Sequence, residues 1–390
     1  MIVGRRLFAR VSVLLVGALI LRVAVVPAEV CPPVTVEAVR GSAEAAVAWL
    51  AGNQAVDGRF VYGYDRSGDV VNGDYNAARH GGVVMSLYQA YDALGSEEAL
   101  EAADRGVDFA LGDILEVDDW LAWNPLGRVP VGPNSLLLAA LALRRMATGD
   151  PVHDDLMRGV GRFLLVQQQP DGSVFDSWDH AEQAPWPTYS LYSTGEAAWA
   201  LALLDRAFPG EGWGEAAART VDHMATSRDR VEGRITRLPD HWAAYTLADL
   251  DPSLLNGVRV DYARRLAGYF GIRLRFEAQR RGEGINLLLR WYPGPPAGVG
   301  TAAEGIGALW RLARSDARLA DLLPNVETRM LCTAGIMVLR QVGSQEALAW
   351  DRPELVAGAW FYRDYTQMDD QQHVLSGLLA VLPLLEEESR

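Results

Sequence analysis

Beyond residue 40 the apolar positions recur at helical spacing, and no stretch alternates apolar with polar as a half-buried strand does. One set of segments keeps a polar face: SAEAAVAWLAGNQ from Ser42, SEEALEAADRGVDFALGDI from Ser96 and VHDDLMRGVGRFLLVQQQ from Val152. GEAAARTVDHMAT from Gly214, SLLNGVRVDYARRLAGYFGIRLRFEAQ from Ser253 and NVETRMLCTAGIMVLRQVG from Asn325 continue it. Several open on a Ser or Asn suited to a helix N-cap. A second set is apolar nearly all round: HGGVVMSLYQAYDAL, NSLLLAALALRRMA, TGEAAWALALLDRAF, DHWAAYTLADL, TAAEGIGALWRLA and QQHVLSGLLAVLPLL. A helix that is apolar on every face is a buried helix. The two sets alternate strictly, and the buried members start near residues 80, 134, 194, 240, 301 and 371. Six exposed–buried pairs repeated along a chain predict an all-α fold, an (α/α)6 toroid with the buried helices as its inner ring.

The connections agree with a ring. Links from buried to exposed helices are short, as in LGSEE, TGDP and LDPS. Links in the other direction are long: residues 54–78, 113–133, 169–192, 281–300 and 344–369. In an alternating ring all the long links lie at one end, together with the N-termini of the buried helices. Long ordered loops in a compact domain are usually functional. Seven of the twelve Trp sit in them, Trp120, Trp123, Trp178, Trp186, Trp291, Trp350 and Trp360. They read either as loop packing or as an aromatic-lined cleft.

Ahead of the helices, MIVGRRLFAR supplies a basic start, VSVLLVGALIL an apolar run and Val26-Pro27-Ala28 a small-residue cleavage pattern. Residues 1–28 therefore read as a signal peptide, or as a membrane anchor through residues 11–27. Residues 29–41 are a linker and residues 42–390 the toroid domain. Either reading of the leader sends the domain out of the cytoplasm, to be extracellular or anchored facing outside. Cys31 and Cys332 are the two cysteines, which in an exported chain suggests a disulfide. Ring closure brings the segment before the first helix beside the last hairpin and so brings these two together; two free thiols are the alternative.

Charge narrows the partners. The net charge of −14 argues against nucleic acid and anionic lipid headgroups. The chain has no Lys, which excludes a Schiff-base lysine and a P-loop lysine. No cofactor and no metal site are assigned, although Asp369 and His373 stand four apart on one helix face, a spacing a metal could use.

The candidate chemistry lies where the buried helices begin. GDYNAARH supplies Asp74, Tyr75, Asn76, Arg79 and His80, and the second buried helix supplies Asn134. YSTGEA gives Tyr192, Thr194 and Glu196, and DHW gives Asp240, His241 and Trp242. TAAEG gives Thr301 and Glu304, and QMDDQQH gives Asp369, Asp370, Gln372 and His373. Each has a plainer reading. Asp74, Asp240, Asp369, Asn134 and Thr301 suit N-caps, Arg79 suits a counter-ion, and the histidines suit satisfied core positions. Six polar starts at one end of one ring point instead to a shared funnel. Carboxylates facing one another across it can serve as general acid and general base, because burial and like charge raise one pKa and leave the other ionised. Asp74, Glu196, Asp240 and Asp369 are the catalytic candidates for glycoside cleavage. Asn76, Arg79, His80, Tyr192, His241, Trp242, Glu304, Gln372 and His373 are the substrate-binding candidates.

This pattern resembles the α/α-toroid superfamilies. The stronger resemblance, by architecture over residues 42–388, is to the six-hairpin glycosidase-like group with its sugar epimerases and uronyl hydrolases. The hydrolase resemblance implies Asp74, Glu196, Asp240 and Asp369 as acid and base. The epimerase resemblance implies His241 and His373 as a proton-transferring pair. FLLVQQQPDGSVF and WLAGNQAVDGRF resemble the Q…DG-aromatic turn of the squalene cyclases, and QMDDQQH loosely resembles their acid motif. Together these imply an exported carbohydrate-active enzyme of the cell envelope acting on a glycan or other small molecule, glycosidase-like first and epimerase or isomerase second. A non-catalytic glycan-binding toroid and a terpenoid cyclase are the remaining readings.

Overall fold

The computed structural model describes residues 8, 10–19, 28–125, 129–233, 240–280 and 292–389. Between Val36 and Glu388 twelve helices of nine or more residues carry the described fold. The outer set is α1 (Val36–Gly52), α3 (Glu97–Leu111), α5 (Asp154–Gln167), α7 (Trp213–Thr226), α9 (Gly257–Ala278) and α11 (Leu323–Arg340). The inner set is α2 (Ala77–Leu94), α4 (Val131–Thr148), α6 (Ser193–Ala207), α8 (His241–Asp249), α10 (Pro296–Ser315) and α12 (Met368–Glu388). Each inner helix packs against the next, and α12 returns to pack against α2. The chain is an (α/α)6 toroid, as the alternation of apolar and amphipathic segments predicts.

The inner helices owe their place to composition. In α4 every residue from Val131 to Ala142 is buried, which only a helix enclosed on all sides allows. The outer helices bury one stripe, and some begin on polar side-chain caps, as Ser96 does for α3 and Asn256 for α9. The helix α1 starts at Val36, capped by Thr35, ahead of the Ser42 start read from the pattern.

The long links differ from the sequence expectation, because they carry short strands. Strands β1 (Gly63–Asp65) and β2 (Val70–Asn72) pair with each other in the first link, and β1 also pairs with β8 (Tyr365–Gln367) in the last. Strands β3 (Ile114–Val117) and β4 (Trp120–Trp123) form a hairpin, and β5 (Val129–Pro130), β6 (Ser177–Asp179) and β7 (Ala184–Trp186) join the second link to the third. At two to four residues these strands are too short to show a period of two in the sequence. The loop tryptophans mostly pack under them: Trp120, Trp123, Trp178 and Trp360 are buried. Trp291 lies outside the described residues.

The Q…DG turns are clamps between outer helices. Gln54, at the end of α1, donates from Nε2 to Ala102 O on α3 at 3.0 Å and accepts from Arg105 Nε at 2.9 Å. Gln168, at the end of α5, repeats this on α7, donating to Ala216 O at 2.8 Å and accepting from Arg219 Nη2 at 2.8 Å. Gly58 and Gly172 hold positive φ of 89° and 85°, and a Cβ on either would meet the carbonyl oxygen of Arg105 or Arg219 at 2.2 and 2.4 Å. Only glycine fits there. A third clamp, which carries no such motif, closes the ring. Gln341 after α11 donates to Ser42 O on α1 at 2.8 Å, and Gly358 at φ 83° lies against Ala45 O.

Covalent closure lies beside it. Residues 28–34 run along the outside of the last repeats. Val30 N donates to Ala278 O at 2.9 Å, Glu29 pairs with Arg275 at 2.6 Å and with Arg329, and Cys31 is disulfide-bonded to Cys332 on α11. The pairing expected from ring closure is present. Among the described residues no helix is long and apolar enough to cross a membrane. Residues 20–27 of the expected leader lie outside them.

The disulfide spans 301 positions. Thiol titration of the denatured, unreduced protein should find no free thiol, and Cys31→Ser with Cys332→Ser should destabilise the chain by about 2–5 kcal/mol in denaturant unfolding. Two titratable thiols would contradict the closure.

Candidate active site

The first turns of α2, α6, α8, α10 and α12 surround a cavity of about 360 Å³ at the loop end of the ring. Behind its inner wall stands Glu304, about two turns into α10 and fully buried. Glu304 Oε2 accepts from His373 Nδ1 at 2.7 Å and lies 3.7 Å from His241 Nε2. Its Oε1 receives the longer contacts of Tyr245 Oη at 3.4 Å and Gln372 Nε2 at 3.5 Å. The two imidazoles, from α8 and α12, stand edge to face with ring centres 5.2 Å apart. Trp242 backs His241 at 4.1 Å and stacks on Trp199.

The two histidines are held in opposite protonation states. Burial works against charge on His373, but the Glu304 carboxylate bonded to it, with Asp369 and Asp370 nearby, outweighs burial and pushes its pKa up to about 9. His241 is held well below the ordinary histidine range by burial, to which the charges on His373 and Arg273 add. Burial raises the Glu304 carboxyl above its usual range, and the His373 contact offsets this only in part.

Across the cavity stands Glu196, on the first turn of α6. It is buried, and among the described residues its carboxyl makes no hydrogen bond. Burial, with Asp240 adding, pushes its pKa up to about 8. Gly132 on α4 makes room for it, since a Cβ there would lie 2.7 Å from Glu196 Oε2. Asp369 lies nearer the mouth, 3.6 Å from His373 Nε2 and 3.7 Å from Arg79 Nε. Arg79 also donates to Tyr62 Oη at 2.8 Å. Asn76, Tyr192, Thr301 and Gln372 complete the wall.

Other polar residues at helix starts are placed elsewhere. Asp74 is exposed and does not line the cavity; Asn76 caps α2 instead, accepting from Arg79 N at 3.0 Å. Asp240 caps α8, accepting from Trp242 N and Ala243 N, and its other oxygen lies 2.6 Å from Arg228 Nη1. Arg228 joins it to a buried network of Glu232, His223 and Thr194. His80 is a satisfied core histidine. Its Nε2 donates to Gly106 O at 2.8 Å, and Tyr75 Oη donates to its Nδ1 at 2.6 Å. Burial pushes its pKa down to about 4. Asn134 lies inside α4 and pins β4 by bonding Trp123 N and O. Asp370 forms a capping box with Gln367. Thr301 lies inside α10 rather than at its cap. No loop tryptophan among the described residues lines the cavity, so the aromatic-cleft expectation is replaced by a charged pocket with Trp242 alone.

One residue read from the helix starts takes a different place, and one feature escapes that reading. Glu304, expected to bind substrate, acts from behind the lining as the hydrogen-bond partner of His373, with His241 Nε2 3.7 Å away. Arg273 reaches the cavity from the outer helix α9. Its one signal in the sequence is position: it follows the buried Phe270 by three residues, on the edge of the buried stripe of α9. His241, Glu304 and His373 also offer one ligand atom each within 4.8 Å of one another, a grouping that could hold a cation. As placed, Glu304 directs one of those atoms at the His373 N–H.

No family model matches the chain, and no curated protein matches it. Solved structures do. A cellobiose 2-epimerase from Spirochaeta thermophila is 14% identical, covers 91% of this chain and 98% of its own, and superposes with a TM-score of 0.60. An unsaturated glucuronyl hydrolase specific for heparin is 12% identical with coverages of 90% and 98% and a TM-score of 0.60. A type II terpene cyclase from Scytonema, bound to merosterolic acid A, is 13% identical with coverages of 90% and 98% and a TM-score of 0.56. The likenesses run the length of the ring and establish the α/α-toroid fold of the chain; chemistry must be read from the cavity itself.

An ordinary glutamate titrates near 4.5 and Glu196 near 8, so between those values the folded chain binds this proton more tightly than the unfolded one. Stability therefore falls as pH rises through that window. Glu196→Gln should remove the fall. Unfolding free energies of the two proteins should nearly agree at about pH 5 and differ by roughly 2–4 kcal/mol in favour of the variant at about pH 9. A difference that does not change with pH would show that Glu196 carries no raised pKa.

Proposed function

We propose that this chain interconverts small sugars by moving a proton at the carbon beside a carbonyl, as an epimerase or isomerase does, with His241 as base and His373 as acid. The observation that carries the reading is the pair of imidazoles 5.2 Å apart on one buried carboxylate, one neutral and one charged. A base must be unprotonated and an acid protonated at the same pH, and their different environments provide both.

The steps follow from the contacts. His241 Nε2 lies 3.7 Å from Glu304 without a hydrogen bond; in the proposed step the imidazole carries its proton on that nitrogen, which leaves Nδ1 as the lone pair. That nitrogen takes the proton from the carbon next to the carbonyl of an open-chain sugar. The C–H electrons move into the new C–C double bond, and the carbonyl oxygen becomes an enediolate oxygen. His373 keeps Nδ1–H on Glu304 and presents Nε2–H to the cavity. It returns a proton to the carbon from the opposite face, inverting it; in isomerisation it protonates the neighbouring carbon instead, while the hydroxyl proton on the first carbon passes to the former carbonyl oxygen and the carbonyl re-forms at the first carbon. His241 ends protonated and His373 neutral, and exchange with solvent resets them. Gln372, Asn76 and Thr301 offer hydrogen bonds to hydroxyls.

A volume of about 360 Å³ supports a small substrate, being at the low end of the ~300–1,000 Å³ typical of ligand pockets. The charged wall supports a sugar over a terpene, which needs a dry aromatic chamber. The fold shared with a cellobiose 2-epimerase supports the same class. Export is part of the proposal: the basic-then-apolar leader and the disulfide both suit an oxidising compartment. A second reading, glycoside hydrolysis, is favoured by one observation, the protonated and unbonded Glu196. It would protonate a leaving oxygen while Asp369 acts from the other wall.

The two readings give different products. Incubated in D2O with a panel of aldoses and ketoses, the protein should incorporate one deuterium beside the carbonyl, read by NMR. His241→Asn or His373→Asn should slow this by about 10²–10⁴-fold. The rate should fall as pH rises through about 9, where His373 loses its proton. New reducing ends from oligosaccharides without deuterium uptake would install the hydrolase reading, and loss of that activity in Glu196→Gln would place its acid.

A further inference from the structure

The cavity contains a charge that the protein itself leaves unanswered. Arg273 lines the cavity wall and makes no hydrogen bond or ion pair among the described residues. The nearest carboxylate on its own helix, Glu277, is already taken. It lies 3.2 Å from Arg280 and 3.1 Å from Arg340, and accepts from Gly294 N at 2.8 Å. Arg79, the other guanidinium of the cavity, pairs with Asp369 and Tyr62. Asp369 and Glu304 both face His373, and Glu196 holds its proton. A partly buried guanidinium without a counter-ion is costly, so such groups are normally paired.

The surroundings make room for it. Gly298, in the first turn of α10, lies where a Cβ would stand 2.7 Å from Arg273 Nη2. The first turns of α6, α8 and α10 open onto the same space and add the positive potential of helix N-termini. A planar guanidinium presents parallel N–H groups that match a carboxylate or phosphate.

We propose that Arg273 recognises an oxyanion on the substrate, and that the site takes small acidic sugars: sugars bearing a carboxylate or a phosphate. For what is done to the sugar this rests on the proton-transfer reading; for its charge it rests on the unpaired guanidinium alone. Arg273 then sets specificity from the outer ring, while the histidines of α8 and α12 perform the chemistry.

The test is equilibrium binding to the full chain by calorimetry, with D-glucuronate, D-glucose 6-phosphate and D-glucose as probes. One of the charged sugars should bind ~10–100-fold more tightly than glucose, the range a charge-assisted hydrogen bond commands. Which one binds tells carboxylate from phosphate. Arg273→Gln should erase the preference, so that the charged sugar binds no more tightly than glucose. Arg273→Lys should keep part of it, and Gly298→Ala, which crowds the guanidinium, should weaken it. Thermal melts show whether each variant is folded; if Arg273→Gln is not, the lysine and Gly298→Ala variants carry the test. Equal binding of all three sugars, no binding of either acidic sugar, or an unchanged preference without Arg273 would overturn the proposal. Charge preference without deuterium exchange would remove the proton-transfer reading and leave this one standing.

Discussion

Closure is the constraint on which the rest depends. An inner helix that is apolar on every side has no stable place in an open array, where the terminal members would expose one face. The chain meets this by packing α12 against α2 and by reinforcing the seam. Gln341 clamps α11 to α1 with the device that Gln54 and Gln168 use between neighbouring repeats, and β8 pairs with β1 across the same seam. The Cys31–Cys332 bond fastens the segment ahead of α1 to α11. Each of these contacts joins residues about 300 positions apart, so each restrains a long loop of the unfolded chain.

Closure also makes the site. Once six helices alternate with six returns, all inner N-termini face one end, and each has N–H groups that need partners. Some ends are capped within the chain, as Asp240 caps α8 and Asn76 caps α2. Polar residues slightly further along the helices then have no cap to make and point into the funnel. The difference between a cap and a cavity group is therefore a matter of register. Asp240 serves the backbone, while His241, the next residue, faces Glu304.

That register limits how far the site is legible in sequence. The alternation of apolar and amphipathic helices reads directly, because a period of 3.6 sustained over a dozen residues is unambiguous. The ring, the side of the long loops and the cysteine pairing follow from it. The cavity histidines and Glu196 are legible as polar groups at buried helix starts. What separates them from Asp74, Asp240 and His80 is not. Asp74 stands two residues before the capping Asn76, and His80 finds its partners in Tyr75 and Gly106, neither of which lines the cavity. The loop tryptophans mislead for a similar reason: strands of two to four residues, invisible to periodicity, fold several of them inward. Arg273 is hardest, since an arginine on an amphipathic helix ordinarily faces water.

The cavity holds groups in states that water would not favour: a protonated glutamate, a neutral imidazole beside a charged one, and an unpaired guanidinium. Burying Glu196, His241 and Arg273 in this way costs folding free energy, which the charge-assisted contact of His373 with Glu304 offsets in part, and such costs concentrate where function needs them. The compensating contacts lie elsewhere, in the outer-ring clamps, the disulfide and the buried Arg228–Glu232–Asp240 network. This separation has a physical advantage. The clamps act on backbone carbonyls of the outer helices, so they hold the ring rigid without supplying charge to the funnel. The acid–base balance at Glu304 is then set locally, by burial and by the few side chains that touch it. A ligand that brings its own anion to Arg273 would relieve one of those costs on entering, so that binding itself offsets part of what the empty site costs the fold.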